Sequence, residues 1–218
     1  MPEVDLLKNY PRAKRKLKQR AQIKTAQVIK IARKFGKEYF DGDRKYGYGG
    51  FDYNQKFWQM VIPDFQKQYG LTKSSRILDV GCAKGFMLFD FQRLIPGIEV
   101  SGIDISKYAI TNALAEIKNS LNIADARSLP FEDKSFDLVI SINTIHNLNA
   151  VNCKKALKEI MRVSKKHAFI TVDAYRNDME KQRMQDWNLT ALTYMHVDAW
   201  RIFFRNAGYT GDYFWFIP

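Results

Sequence analysis

Residues 77–86 read ILDVGCAKGF, an apolar run that ends in an aspartate and two glycines and then enters KGFMLFDFQRLI, whose apolar residues recur at helical spacing. The pattern predicts a strand, a tight turn and a helix, with Asp79, Gly81 and Gly85 in the order D-x-G-x-x-x-G. A phosphate-cradling loop needs G-x-x-x-x-G-K-[ST], and a dinucleotide fingerprint needs G-x-G-x-x-G; neither is present. Glycines at such a turn let the backbone approach a ligand closely. An aspartate just before them accepts from an amine and repels a pyrophosphate.

Outward from this turn the texture repeats. RILDV, IEVSGID, LNIAD, FDLVISI and HAFITVDA are short apolar runs separated by helical stretches, the mark of an α/β, doubly wound, mostly parallel sheet. Ligands of such sheets sit at the carboxyl ends of the strands. The second strand ends at Asp104, nineteen residues after Gly85, where an acid can take both hydroxyls of a ribose. The third ends in NIADARSLPF, where Asp125 can accept from an exocyclic adenine amine and the Ala126 N–H can donate to the ring. Three acids at successive strand ends match an amine, a ribose and an adenine, and no phosphate partner is required.

In these segments the chain resembles the class I S-adenosylmethionine-dependent methyltransferases, of the type 11/25-like domain group. The resemblance covers about residues 76–174 and rests on ILDVGCAKG, GIDIS, ADARSLPFEDKSFDLVIS and ALKEIMRVS, in order and at matching spacing. It implies a Rossmann-like methyltransferase sheet, S-adenosylmethionine as methyl donor and S-adenosylhomocysteine as product. It also implies that Asp79, Gly81 and Gly85, with Cys82 and Ala83 of the same turn, line the methionine part, Asp104 and Ile105 the ribose, and Asp125 and Ala126 the adenine. Cys82 reads as a small buried residue or as a thiol nucleophile. The common sheet of this family has seven strands, whereas one clear strand follows the predicted helix VDAWRIFFRNAG; NLTALTYMH is the segment that could supply another.

Methyl transfer from a sulfonium asks chiefly for in-line alignment and sometimes for a base. SINTIHNL, at the end of the fourth strand, offers Asn143 facing the cofactor and His146, whose unperturbed pKa of about 6.5 suits a base near neutrality; His146 can equally cap or pack the next helix. VDAYR places Asp173, Tyr175 and Arg176 at the substrate mouth, with Trp187 and His196 as further wall candidates. The chain carries neither N-P-P-[YF], the mark of methylation at a planar nitrogen, nor an acid-rich metal arrangement. The expected reaction is therefore metal-independent methylation of a small polar metabolite at oxygen or nitrogen.

The net charge of +12 is concentrated: residues 1–34 hold a net of +9, leaving +3 for the other 184. RAKRKLKQRAQIKTAQVIKIARKF reads as one basic amphipathic helix, packing its Val28, Ile31 and Phe35 side on the body. Residues 8–34 could alternatively contact RNA or an acidic surface, so an RNA methyltransferase stays open, as does a cofactor-binding module without turnover. Two cysteines without metal or redox spacing, no signal-like apolar leader and no stretch of the ~18 apolar residues that span a bilayer point to a cytoplasmic, soluble protein. The oligomeric state is open, a homodimer included. Residues 1–72 read as a basic helical extension with a cap, and 73–218 as the methyltransferase domain. The cap is YGYGGFDY, residues 46–53, where Tyr48 could cover the sulfonium and Tyr46 and Tyr53 could meet the substrate, or where the aromatics simply pack on the body.

Overall fold

A computed structural model describes residues 1–12 and 15–218. The basic segment is two helices rather than one, α1 (Leu17–Ile23) and α2 (Ala26–Ala32). Thr25 breaks it: its backbone is extended and its hydroxyl accepts from the Val28 N–H at 3.2 Å, a cap that competes with continuing the helix. Val28 and Ala32 are buried against Leu189, while Ile31 and Phe35 are half-buried. After α3 (Lys37–Phe40) comes α4 (Ile62–Tyr69), where Pro63 occupies the first turn, a position at which its missing N–H leaves no helical bond unmade. Gly70, left-handed, ends it.

The strands are β1 (Arg76–Val80), β2 (Glu99–Asp104), β3 (Leu121–Ile123), β4 (Phe136–Ile142) and β5 (Ser164–Tyr175). Between them lie α5 (Phe86–Leu94), α6 (Lys107–Thr111), α7 (Ala115–Lys118) and α8 (Ala150–Val163). The stretch KYAITNALAEIK is split into α6 and α7 because the Asn112 amide takes the Tyr108 carbonyl at 2.8 Å. Then follow α9 (Asp178–Trp187), β6 (Met195–His196), α10 (Val197–Ala207) and β7 (Asp212–Phe216).

Seven strands form the sheet in the order β3-β2-β1-β4-β5, with β7 on residues 169–173 of β5 and β6 on 174–175, on the edge away from β4. All these pairings are parallel. The short β6 comes from NLTALTYMH, the segment left open for it. Glu3 adds a parallel bridge to Tyr213, so the N-terminus runs beside β7. Alternate residues face opposite cores: Ile77, Leu138, Ile140 and Phe169 pack with α4 and α5, while Leu78, Val80, Val139 and Ile170 pack with α8 and α10. The chain order reverses between β1 and β4, which opens a crevice at their carboxyl ends.

One buried ion pair ties the segment before the sheet to the turn after β1. Lys84, 5% exposed, places its Nζ 2.8 and 3.0 Å from the two oxygens of Asp41. Asp41 also accepts from the Tyr108 hydroxyl at 2.7 Å and the Phe51 N–H at 2.9 Å. Burial pushes its pKa up, but these donors together hold it below the usual carboxylate range. Removing the cation leaves a largely enclosed carboxylate short of a partner. Lys84→Met should cost on the order of 2 kcal/mol in a denaturant titration, the cost being moderated by the partial exposure of Asp41. It should also speed proteolysis within residues 36–54; a change under about 0.5 kcal/mol would remove the pair from the account of stability.

Candidate active site

The crevice encloses about 1000 Å³ and is walled by the ends of β1, β4, β5 and β7, by the 46–58 segment and by α1. Its floor begins at Asp79, the fourth residue of β1. The side chain is 5% exposed, and its Oδ1 is buried with no hydrogen-bond partner among the described residues. Burial, then the nearby Asp104 charge, push its pKa up to about 8. A carboxylate kept in this state fits a cationic ligand group.

The backbone turns sharply at Gly81, with φ +90. A Cβ there would lie 2.1 Å from Thr144 Oγ1, so only glycine lets β1 pass this close to the loop after β4. The Gly81 and Cys82 N–H groups donate to the Ile103 carbonyl at 2.7 and 3.0 Å, and the Ala83 N–H donates to Asp104 Oδ2 at 2.9 Å. The other Asp104 oxygen accepts from the Ser106 N–H at 2.8 Å. Asp104 thus fastens the turn, while Ile105 beside it is 60% exposed. Cys82 is buried, and burial with the charges of Asp79 and Asp104 raises its thiol pKa, which disfavours the thiolate.

At the end of β4, Asn143 adopts φ +51, a conformation that asparagine tolerates. Its N–H and its Oδ1 both engage the Thr171 hydroxyl, at 2.9 and 2.8 Å, which leaves the Nδ2 donors for the crevice. His146, 4% exposed, accepts the Asp173 N–H on Nδ1 at 2.9 Å. Its proton therefore resides on Nε2. Burial lowers its pKa to about 3. The expectation of His146 as a base is corrected on both counts: its free lone pair is spent and it stays neutral. The Asp173 carboxylate lies 3.5 Å from the same Nδ1; burial raises its pKa to about 7, with Arg15 pulling the other way.

The crevice brings together Asp79, Gly81, Cys82, Ala83, Asn143, His146, Asp173, Tyr48 and Trp187. Gly85, Asp104, Ile105, Asp125 and Ala126 lie along the neighbouring strand ends, outside its lining. Asp125 is held by the Arg127 guanidinium, whose Nε is 2.9 Å from both its oxygens, so it is not a free acceptor. Four candidates for substrate contact lie outside the lining of the crevice. Tyr46 packs with Val28 and Leu189. The Tyr53 hydroxyl donates to Asp90 at 2.7 Å. Tyr175 meets His196 edge-on, and Arg176 turns to Glu180. His196 itself caps α10.

The sequence reading passed over Arg15, Arg20, Tyr39, Thr171 and Phe216, all in the lining. Tyr39 could have been found from Gly47: a Cβ there would sit 2.0 Å from the Tyr39 carbonyl, which accepts the Tyr48 N–H at 2.8 Å. The close approach stands Tyr48, 45% exposed, at the crevice wall against Tyr39 and Phe51.

A family model described as a methyltransferase domain matches residues 71–208. A tRNA (carboxymethyluridine(34)-5-O)-methyltransferase of Arabidopsis thaliana is 31% identical over 132 residues, 60% of this chain and 31% of that protein. A malonyl-[acyl-carrier protein] O-methyltransferase of Legionella pneumophila is 28% identical over 60% of this chain and 46% of its own length. The chain thus spans less than half the length of these two relatives. Among solved structures, the YcgJ protein of Bacillus subtilis superposes with a TM-score of 0.53 at 20% identity, covering 67% of this chain and 66% of that one. The [4+2]-cyclase SpnF does so with 0.54 at 19%, covering 68% and 57%. At those identities the likeness is one of fold.

The Asp79 carboxyl yields a pH test. Its folded pKa lies above the unfolded value of about 3.9, so the protein without ligand should lose stability as pH rises from about 4 to 8. A cationic ligand needs the ionised form. The dissociation constant of S-adenosylmethionine should therefore rise as pH falls from 8 to 6, by up to about tenfold per unit. Asp79→Asn should flatten the binding curve in calorimetric titrations and remove the stability slope between about pH 7 and 8 in thermal-shift titrations, the slope below 7 being shared with Asp173; persistence of either would show that another group titrates.

Proposed function

The chain belongs to the class I S-adenosylmethionine-dependent methyltransferases, and we propose that it methylates an oxygen or nitrogen of a small polar molecule without a metal, with Asp173 taking the proton. The carrying observation is the convergence of Asp79, Asn143 and Asp173, from the ends of β1, β4 and β5, on one crevice that the chain's own residues 7–58 wall in. The unpartnered Asp79 Oδ1 fits the ammonium of the donor's methionine part, and the tight turn at Gly81 leaves room for that part to lie against backbone. Asp104 and the exposed Ile105 beside it fit a ribose; Asp125 fits an adenine amine only by yielding part of its Arg127 pair. When bound, the donor supplies a methyl group on a positively charged sulfur that departs as a neutral thioether.

The protein's own contribution is alignment and proton handling. Asp173 has a pKa near the operating pH, the condition under which a base is both ionised and strong enough to accept a proton. His146 presents an Nε2–H donor and, by taking the Asp173 N–H on Nδ1, fixes the end of β5. The Asn143 amide offers a further donor to the acceptor. Tyr48 and Phe51 form a lid face whose aromatic surfaces suit a cation.

The RNA alternative draws on the Arabidopsis relative's name and on the exposed residues Lys18, Lys30, Arg33 and Lys34. Against it, Arg15, Lys16 and Arg20 line the crevice instead of extending a flat basic surface. Of residues 8–34, the expected RNA-contacting arm, 13 and 14 lie outside the described residues.

Incubation with methyl-labelled S-adenosylmethionine and a cell extract, fractionated into RNA, protein and small molecules, should place the label in the small-molecule fraction. Label confined to RNA would reject the reading. With the acceptor in hand, the rate should climb with pH through about 7. Asp173→Asn should lower kcat by about 10²-fold or more and abolish that climb, whereas His146→Gln should leave its midpoint in place. Tyr48→Ala should raise the Michaelis constant for donor or acceptor severalfold while changing stability by less than about 1 kcal/mol; an unchanged constant would remove the lid.

A further inference from the structure

The crevice is acidic at its floor and cationic on the wall made by α1 and the residues before it. Arg15 and Arg20 both lean on Trp187, with guanidinium carbons 5.3 and 5.6 Å from its ring, and Arg15 also lies 4.6 Å over the ring of Phe216. Both are half-buried. Neither has a carboxylate within ion-pair distance among the described residues. Arg20 spends one nitrogen on the carbonyls of Arg44 and Lys45, at 3.0 and 3.3 Å, and its Nε is buried without a partner. Arg15 donates to no described residue.

Crowding makes this arrangement costly. Burial lowers the pKa of Arg15 and of Arg20, and further cations add to it, Arg12 and Arg183 for the first and Arg44 for the second. Two half-buried guanidiniums, seated over aromatic rings and held short of anions, leave the Arg15 fork and the second terminal nitrogen of Arg20 for a planar or tetrahedral oxyanion. The charge of Asp173, the proposed base, acts on Arg15 in the opposite direction.

We propose that Arg15 and Arg20, seated on Trp187, form an anion-recognition site, so that the methyl acceptor is a small molecule bearing a carboxylate or phosphate close to its nucleophilic oxygen or nitrogen. The inference deepens the reading of the crevice given above and rests on it for the word acceptor, but the anion site stands as geometry by itself. It also gives the basic segment a task inside the crevice in place of a surface for nucleic acid. A bidentate Arg contact fixes orientation as well as position, which is what in-line transfer asks of an acceptor.

The test is binding to the full chain without donor, at constant ionic strength set with KCl. Inorganic phosphate and succinate are titrated separately, and a single-stranded RNA oligonucleotide is titrated in parallel. At least one small anion should bind saturably, and Arg15→Gln with Arg20→Gln should weaken it at least tenfold, with Arg15→Lys and Arg20→Lys restoring part of it. Phosphate alone binding assigns a phosphorylated acceptor, and succinate alone a carboxylate. Stabilisation of the double Gln variant by S-adenosylmethionine should match wild type, which shows that the variant folds and separates this inference from the methyltransferase reading. Equal anion binding by wild type and the double Gln variant would overturn the proposal. So would RNA binding that depends on the two arginines with no small anion bound.

Discussion

The ammonium of Lys84 is withdrawn from water inside the turn that follows β1, and among the described residues Asp41, forty-three positions earlier, is the carboxylate that neutralises it. A lone buried ammonium would be untenable, so the turn can hold its shape only when the 36–54 segment is folded against it. Asp41 is in turn tethered to α6 by Tyr108 and to the aromatic segment by the Phe51 N–H. One ion pair therefore couples the glycine turn, the wall over it and a helix beyond β2. Lys84 and Asp41 lie on opposite sides of the boundary expected between residues 1–72 and 73–218, so this pair ties the two segments together.

Charge is distributed in the crevice by depth. Asp79 lies at the floor, where burial and then the charge of Asp104 behind the turn raise its pKa, and the guanidiniums of Arg15 and Arg20 lie on the wall. Each set is paired poorly within the protein. Such sets persist when a ligand supplies the missing charge, because the folding cost is then recovered on binding. A cationic donor against the floor and an anionic acceptor against the wall would satisfy both.

The sheet was legible because parallel strands buried on both faces leave near-continuous apolar runs: FDLVISI is β4 residue for residue. Asp79 was legible because a carboxylate before a glycine turn has few purely structural uses. The helix breaks were not, since the hydroxyl of Thr25 and the amide of Asn112 act through single hydrogen bonds that a hydrophobic period does not register. Among the tyrosines, proximity in sequence misled: Tyr46 and Tyr53 flank Tyr48, yet the turn sends one toward Leu189 and the other to Asp90. Arg15 and Arg20 read as solvated charges of an amphipathic face. Only the tertiary meeting of α1 with the end of α9, at Trp187, turns them inward.

The tautomer of His146 separates what the fold permits from what this crevice can do. A fold that also carries a [4+2]-cyclase does not specify methyl transfer, so the proton-handling groups must. With Nδ1 committed to the Asp173 N–H, the imidazole is a donor, and the proposed proton acceptor is the neighbouring carboxylate. The strength of that carboxylate as a base depends on Arg15, whose charge lowers a pKa that burial raises to about 7. An anion seated on Arg15 would cancel part of this field. The Asp173 carboxylate would then become more basic where an acceptor is bound, and the same arginine that positions the substrate would set the proton affinity of the group that deprotonates it.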